Sequence, residues 1–204
     1  MSQKVNATWL PSIEVESAHG TREVSLSTRH LMDRIVFLSG EIDEDMANSF
    51  LSQLLFLEGS GDEPITVYIN SHGGLVDAGL MIYDAIQGSD LKINIVCTGI
   101  AASMAAIILA GGQKGRRYIL RHSKVMIHEP LISGGVGGSA TSIKNISESI
   151  LETKRIANGI LARHTGKTPD EINEATTFDN YMNAEEAVAF GICDRITESI
   201  KPEQ

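Results

Sequence analysis

The chain has 204 residues and a net charge of -9, with 42% hydrophobic and 21% charged residues. These values suit one globular domain with a sizeable core, and they exclude a disordered or fibrous chain. They also argue against nucleic acid as the main partner, because the sequence has no dense patch of Lys and Arg. No apolar run reaches the roughly 20 residues that span a bilayer, and residues 1–10 lack a signal-peptide core. We therefore expect a cytoplasmic protein that makes no membrane contact.

The first half of the chain is predicted to alternate strands with helices. Residues 1 to about 20 form a polar arm with an apolar island at Trp9, which needs cover from its own domain or from a neighbouring subunit. Beyond the arm, hydrophobic periodicity predicts strands at 34–38, 65–69 and 93–98, and helices at 46–57, 77–87 and 104–110. The glycine-containing stretch 71–74 interrupts the second of these strands.

The second half continues the alternation around one long helix. It is predicted to contain strands at 117–120, 124–127 and 192–196, short helices at 169–175 and 184–190, and a long helix at about 140–164. Strands alternating with helices indicate a single α/β domain with a largely parallel sheet. The apolar positions of the long helix serve either a partner subunit or an ordinary core, and both interpretations stay open.

Ser103 is the strongest candidate for a catalytic residue. It stands between an apolar strand and a helix of small residues, a turn that presents a hydroxyl at the positive end of the helix dipole. A serine at such a turn can instead simply cap the helix. His128 ends the next apolar strand but one, so both side chains would reach the carboxyl edge of one sheet. A nucleophile and a base from separate strand ends is the geometry that acyl transfer needs.

A base histidine needs an acid that fixes its tautomer, and an acyl-transfer site needs an oxyanion hole. Asp179, between two short helices, is our choice of acid, with Asp170 and Asp194 as competitors. The natural oxyanion donors are the backbone N–H groups of Gly74, in the glycine-containing stretch, and of Met104, directly after the serine. The glycines match no phosphate-binding motif, so we expect no nucleotide or other cofactor at this site.

The histidines and cysteines give no sign of a metal site. His72, His122 and His128 lack a helical pair at i, i+4 and a neighbouring Cys/His cluster. Cys97 and Cys193 lie in apolar, strand-like contexts, and we interpret them as small core residues in a reducing compartment.

Taken together, these segments resemble the ClpP family, the serine peptidase subunits of Clp proteases. The resemblance runs in order over about residues 33–196, and it is carried by the segments 33–35, 52–58, 68–74, 99–104, 125–131, 164–166 and 184–194. It implies the repeated β-β-α units shared by ClpP and crotonase folds, with a protruding "handle" helix at about 140–164. Residues 33–204 would then be a single peptidase domain, and residues 1–32 an N-terminal arm at the axial gate.

The resemblance also implies roles for individual residues. Ser103 would be the nucleophile, His128 the general base and Asp179 its orienting acid, with the oxyanion bound by Gly74 and Met104. A strand over residues 134–140 would hold the substrate backbone, which suits weak sequence specificity. The substrate contacts implied are Gly73, Leu75, Leu131, Gly134 and Gly135.

The implied partners are polypeptide substrates, further copies of the chain and an unfoldase. In the family, two stacked heptameric rings enclose a chamber that an AAA+ unfoldase of the Clp type feeds, and a sister subunit could share the ring. Four residues depart from the family pattern, which usually has Pro, Gly, Gln and Arg at these positions: His72, Ala105, Glu129 and Phe178. An acid directly after the base would favour its protonated form.

These departures motivate alternatives to an active peptidase. One is a non-catalytic structural subunit of a mixed ring with a poorly formed triad. Another is a crotonase-type acyl-CoA enzyme, whose glycine-rich oxyanion loops look alike, although the Ser/His pair argues against it. A phage maturation peptidase is a narrower option.

Overall fold

The structure, a computed structural model, describes residues 11–17, 20–132 and 135–201. The helices are α1 Leu26–Met32, α2 Glu44–Glu58, α3 Val76–Gly88, α4 Met104–Ala110, α5 Ala140–Thr165, α6 Pro169–Thr176 and α7 Ala184–Phe190. The strands are β1 Ser12–Ser17, β2 Gly20–Ser25, β3 Ile35–Ile42, β4 Ile65–Gly74, β5 Ile93–Ala102, β6 Arg117–Leu120, β7 Lys124–Ile127, β8 Asn180–Met182 and β9 Arg195–Thr197. This order confirms the predicted α/β fold with a mostly parallel sheet. Within the described ranges, no helix has the length and apolar character needed to cross a bilayer.

In the part of the chain that the structure describes, seven strands form one sheet in the order β3-β4-β5-β6-β9, with β7 paired to β5 and β8 paired to β7. The strand β5 changes partner along its length: its first half pairs with β6, and residues Ile100 to Ala102 pair with β7. Within this sheet, every pairing is parallel except that of β7 with β8. Because β5 and β7 run in parallel, their carboxyl ends reach the same edge of the sheet.

The core lies between the sheet and the helices packed on it. The central strands are nearly continuous apolar runs, as parallel strands buried on both faces require. Helix α4 is buried along its whole length, which its small and aliphatic residues permit. Cys97 and Cys193 are both buried, so their prediction as core residues is confirmed.

Four strands differ in their bounds from the sequence prediction. Strand β3 continues to Ile42 rather than ending at residue 38. Strand β4 does not end at residue 69 but continues through Gly74, because a register shift after Ile69 accommodates the glycine-containing stretch. Strand β5 likewise extends to Ala102. The last strand starts at Arg195 rather than at 192, since the N–H groups of Ile192 and Cys193 both bond to the Ala187 carbonyl and so belong to the end of α7.

The N-terminal arm contains regular structure that the sequence did not indicate. Strands β1 and β2 pair in antiparallel register, and α1 follows directly, with the Ser25 hydroxyl accepting a hydrogen bond from the Thr28 N–H at its start. Their alternating charged and β-branched residues form no apolar run of the kind that marks the central strands. Of the apolar island at residues 9–13, Trp9 and Leu10 lie outside the described residues, and Ile13 belongs to β1.

Helix α5 is anchored in the core at one end only. The Ser139 side chain caps its N-terminus, and Gly166, directly after its last residue, has the left-handed conformation, φ 77°. Its buried residues all lie in the C-terminal half, from Ala157 to Leu161. Upstream, the Leu151 side chain is 60% exposed. The ordinary core interpretation therefore holds for the C-terminal half, and the N-terminal half presents apolar side chains to solvent.

Candidate active site

Ser103 occupies a strained turn between β5 and α4. Its backbone has φ 55° and ψ -123°, a conformation rare for a residue with a side chain. The Ser103 N–H donates to the Met126 carbonyl of β7 at 2.9 Å, which fixes the turn against the neighbouring strand. The residue stands at the start of α4, yet its hydroxyl makes no capping hydrogen bond. Helix capping therefore does not account for this serine.

His128 reaches the serine because β7 runs beside the end of β5. The register pairs Ala102 with Met126, so the residues that follow the two strands emerge at one edge. The His128 Nε2 atom lies 2.9 Å from the Ser103 Oγ atom. The imidazole is mostly buried, with 15% of its side chain exposed. The structure thus brings together the two residues that the strand ends predicted.

Asp179 completes a hydrogen-bonded chain through the imidazole. Its Oδ1 atom lies 3.2 Å from the His128 Nδ1 atom. With a carboxylate as acceptor, Nδ1 carries the proton and Nε2 is left to accept the hydrogen bond that the Ser103 hydroxyl donates. The Asp179 side chain is 57% exposed, so water reaches the acid of this chain. The short strand β8 after Asp179 was missed at the sequence level.

Neither competing acid lies at this site. Asp170 belongs to the first turn of α6, where the helix dipole accounts for an acid. Asp194 forms a buried ion pair with Arg117, at 2.6 Å between Oδ1 and Nη2. Burial alone would raise the pKa of Asp194, but hydrogen bonds from the Arg117 side chain and backbone, the guanidinium charge and the Gly115 N–H together lower it.

In the glycine-containing stretch at the end of β4, Gly73 lies directly against the nucleophile. Gly73 has φ 95°, and a Cβ atom there would lie 2.7 Å from the Ser103 Cβ atom and 3.1 Å from the Met104 nitrogen. Met104 opens α4, so its N–H has no acceptor within the helix. A Cβ atom on Gly74 would clash with the Ile42 carbonyl of β3. Glycine is thus required at both positions, and the backbone approaches the serine closely.

The predicted substrate contacts differ in exposure. Leu75 and Leu131 are exposed apolar residues, whereas Gly73 is buried. Gly135 is exposed, and residues 135–139 belong to no helix or strand. Gly134 lies outside the described residues. The substrate-pairing strand over 134–140 stays a prediction.

Two of the departures from the family pattern take positions that the sequence did not indicate. The Glu129 carboxylate accepts a hydrogen bond from the Lys154 ammonium group at 2.6 Å. His72 is exposed at the end of β4, in a surface cavity that also borders Gly73 and Gly74. Lys154 was missed at the sequence level, since one lysine in a long helix carries no local signal.

The described residues contain neither a cluster of metal ligands nor a reactive thiol. No group of three or more His, Cys, Asp and Glu side chains there is close enough to hold a metal ion. Burial raises the pKa of the Cys97 thiol to about 11, and it raises the pKa of Cys193 further. These thiols are therefore protonated and unreactive at neutral pH.

A hydroxyl, an imidazole and a carboxylate in one hydrogen-bonded chain can activate a serine for attack on a carbonyl carbon. Comparison with known families gives an independent result: the family described as Clp protease matches residues 18–200. That match covers every strand and helix that supplies the three side chains. The chain therefore belongs to the Clp protease family, as a ClpP-type proteolytic subunit and a serine peptidase of the Clp type.

Proposed function

We propose that the protein is a serine endopeptidase in which Ser103, His128 and Asp179 form the catalytic triad. The observation that carries the proposal is the hydrogen-bonded chain from the Ser103 Oγ atom through the imidazole to the Asp179 carboxylate, at 2.9 Å and 3.2 Å. The strained serine backbone adds support, because it costs stability and has no capping role.

The mechanism follows from these positions. The His128 Nε2 atom takes the hydroxyl proton while the Ser103 Oγ atom bonds to the substrate carbonyl carbon, and Asp179 stabilises the imidazolium that forms. The N–H groups of Met104 and Gly74 stabilise the developing oxyanion. The imidazolium then protonates the leaving amine as the C–N bond breaks, which leaves an acyl ester on the serine. Water, activated by the same imidazole, hydrolyses the ester and releases the free serine.

Exposed apolar side chains on the segments that carry the site suit polypeptide substrates. Leu75 directly follows the glycine-containing stretch and Leu131 follows His128 by three residues, and both are exposed, so an extended chain could bind there mainly through its backbone. Contacts of that kind select weakly among side chains. We therefore propose unfolded polypeptides of varied sequence as the substrates, with Gly73, Gly134 and Gly135 among the residues that contact their backbone.

We further propose that the chain works in two stacked heptameric rings fed by a Clp-type AAA+ unfoldase, alone or in a mixed ring with a sister subunit. Membership of the family is consistent with assembly and with a Clp partner in general. The exposed apolar residues of α5, including Ile143 and Leu151, need cover of the kind that a second ring would provide. A cytoplasmic location stays a prediction.

The decisive test is intact mass after treatment with a fluorophosphonate, which bonds to activated serines. Wild type should gain a single adduct, and Ser103→Ala should gain none while it keeps its circular dichroism spectrum. Ser52→Ala is the matched control, because Ser52 is an exposed serine on α2 and its loss should leave the adduct intact. An adduct that persists in Ser103→Ala would overturn the assignment. No adduct in folded wild type would favour the structural-subunit alternative.

A further inference from the structure

The residue after the catalytic histidine is tied to two other parts of the fold. The Glu129 N–H donates to the Thr176 carbonyl at the end of α6, at 2.8 Å. Its carboxylate accepts a hydrogen bond from Lys154 of α5 at 2.6 Å. The side chains of the pair are 25% exposed for Lys154 and 38% for Glu129, so the pair is partly shielded from water. Shielding of this kind makes an ion pair stronger than one on the open surface.

Lys154 lies at the point where α5 leaves the core. The first buried residue of the helix is Ala157, one turn later. The turns before Lys154 carry exposed apolar side chains, such as Leu151. A partner that binds the exposed half of α5 would thus act on the helix directly beside the lysine.

A second connection joins α5 to the acid of the triad. Asn158 lies one turn after Lys154 and is buried, and its Oδ1 atom accepts a hydrogen bond from the Thr176 hydroxyl at 3.4 Å. Thr176 is fully buried, and Asp179 follows it by three residues. One face of α5 therefore contacts both segments that hold the imidazole, the one after β7 and the one before β8.

Three charged groups lie on or beside the imidazole segment. Asp179 contacts it from the segment before β8. Glu129 follows it on its own segment, and Lys154 reaches that carboxylate from α5. The ammonium group thus pairs with the Glu129 carboxylate, and Asp179 is the acid that contacts the imidazole.

From these contacts we infer that Glu129 and Lys154 are a positioning pair, which fixes the His128 segment to α5 and holds the imidazole in line with the Ser103 hydroxyl. The inference rests on the proposed peptidase function. Neither residue touches the reacting atoms, so the pair acts through the histidine.

The test compares three variants at α5. Lys154→Met removes the charge but keeps a long side chain with a good helix propensity, while Lys154→Arg keeps the charge and the reach. Arg155→Gln is the matched control, because it breaks an exposed ion pair with Glu152 on the same helix, away from the histidine. Each variant is assayed for peptide cleavage, for fluorophosphonate labelling rate and for assembly state.

Lys154→Met should lower kcat and the labelling rate about tenfold with KM changed by less than about twofold, since a small misplacement of a catalytic group slows the chemical step. Lys154→Arg should restore most of the rate, and Arg155→Gln should match wild type. In a protein that already carries Glu129→Gln, Lys154→Met should lower kcat and the labelling rate only slightly further. Wild-type rates in Lys154→Met would contradict the inference that Glu129 and Lys154 position the histidine. Rate losses that simply add in the double variant would contradict it as well.

A spectroscopic readout separates this inference from the proposed function. The ring signals of 13C-labelled histidine, with His128 assigned by His128→Gln, report the imidazole surroundings even in an inactive protein. Lys154→Met should shift the His128 signal, and Arg155→Gln should not. If the wild type has no peptidase activity but the His128 signal shifts in Lys154→Met, the proposed peptidase function is wrong and the inference about the Glu129–Lys154 pair is supported. A His128 signal that does not shift in Lys154→Met would contradict the inference about the pair, whether or not the protein is active.

Discussion

His128 and Asp179 stand opposite each other, one position beyond the last pair of the antiparallel β7–β8 ladder. The register pairs Ile127 with Asn180, and its continuation brings the next two residues face to face. A backbone ladder of three pairs therefore determines which acid meets the base. The carboxylate itself is more than half exposed, so the strand pairing rather than burial places it.

Asp179→Asn should lower kcat a hundredfold to ten-thousandfold, because an amide can stabilise the wrong imidazole tautomer and cannot stabilise the imidazolium. The measurement is steady-state peptide cleavage at saturating substrate. Asp170→Asn serves as the control and should keep wild-type turnover, since Asp170 lies in the first turn of α6. Turnover near wild type in Asp179→Asn would assign the orienting role to another group.

Gly73→Ala should abolish fluorophosphonate labelling. The added methyl group would meet the Ser103 Cβ atom at 2.7 Å and the Ala102 carbonyl oxygen at 2.8 Å, at a backbone φ of 95° that disfavours alanine. The turn that carries the nucleophile must then move. Gly88→Ala is the control, since that position at the end of α3 has open space, and it should label normally. Normal labelling of Gly73→Ala would show that this close approach is unimportant.

Asp194→Asn should destabilise the fold by about 3 kcal/mol, because it leaves the Arg117 guanidinium buried without its counter-charge. Arg117 also donates to the carbonyls of Ala110, His164 and Gly191, so it joins three helix ends. Chemical denaturation measures the loss. Glu198→Gln, which breaks an exposed pair with Arg121, should cost less than about 1 kcal/mol. Similar losses in both variants would contradict a special role for the buried pair.

The same pair predicts a dependence on pH. The pKa of Asp194 is lower in the folded state than its ordinary value of about 3.9, so its stabilisation is present above that value and is lost as the pH falls further. The stability gap between wild type and Asp194→Asn should therefore narrow below about pH 4. A gap that stays constant down to pH 3 would contradict the ionic origin of the effect.

His164 should make the fold less stable in mild acid. Burial, followed by the charges of Arg117 and Arg163, lowers the pKa of this histidine, whose Nε2 atom lies 2.9 Å from the Tyr83 hydroxyl. The unfolded chain then takes up the proton first, so stability falls as the pH drops through about 6.5. Melting temperatures between pH 7.5 and 5.5 measure the slope, which His164→Gln should reduce. The exposed His122→Gln is the control, and equal slopes in both variants would refute the prediction.

Much of this architecture was predictable because it depends on local signals. The strands at 117–120 and 124–127 and the helix at 184–190 are confirmed to the residue, since short apolar runs between turn-forming residues define them. Ser103 and His128 were candidates for the same reason, because each directly follows an apolar strand. The three-residue strand β8 escaped prediction, as only its pairing with β7 stabilises it.

The α/β alternation, the small residues around Ser103, the histidine at a strand end and the resemblance to a peptidase family could all be found in the sequence. These features depend on residue type and on spacing along the chain. The fold was needed to show that Asp179 contacts His128, that Asp194 pairs with Arg117 and that Lys154 pairs with Glu129. Those pairings join residues that lie from 25 to 77 positions apart in the chain. Strand register and helix placement set such distances, and no local pattern encodes either one.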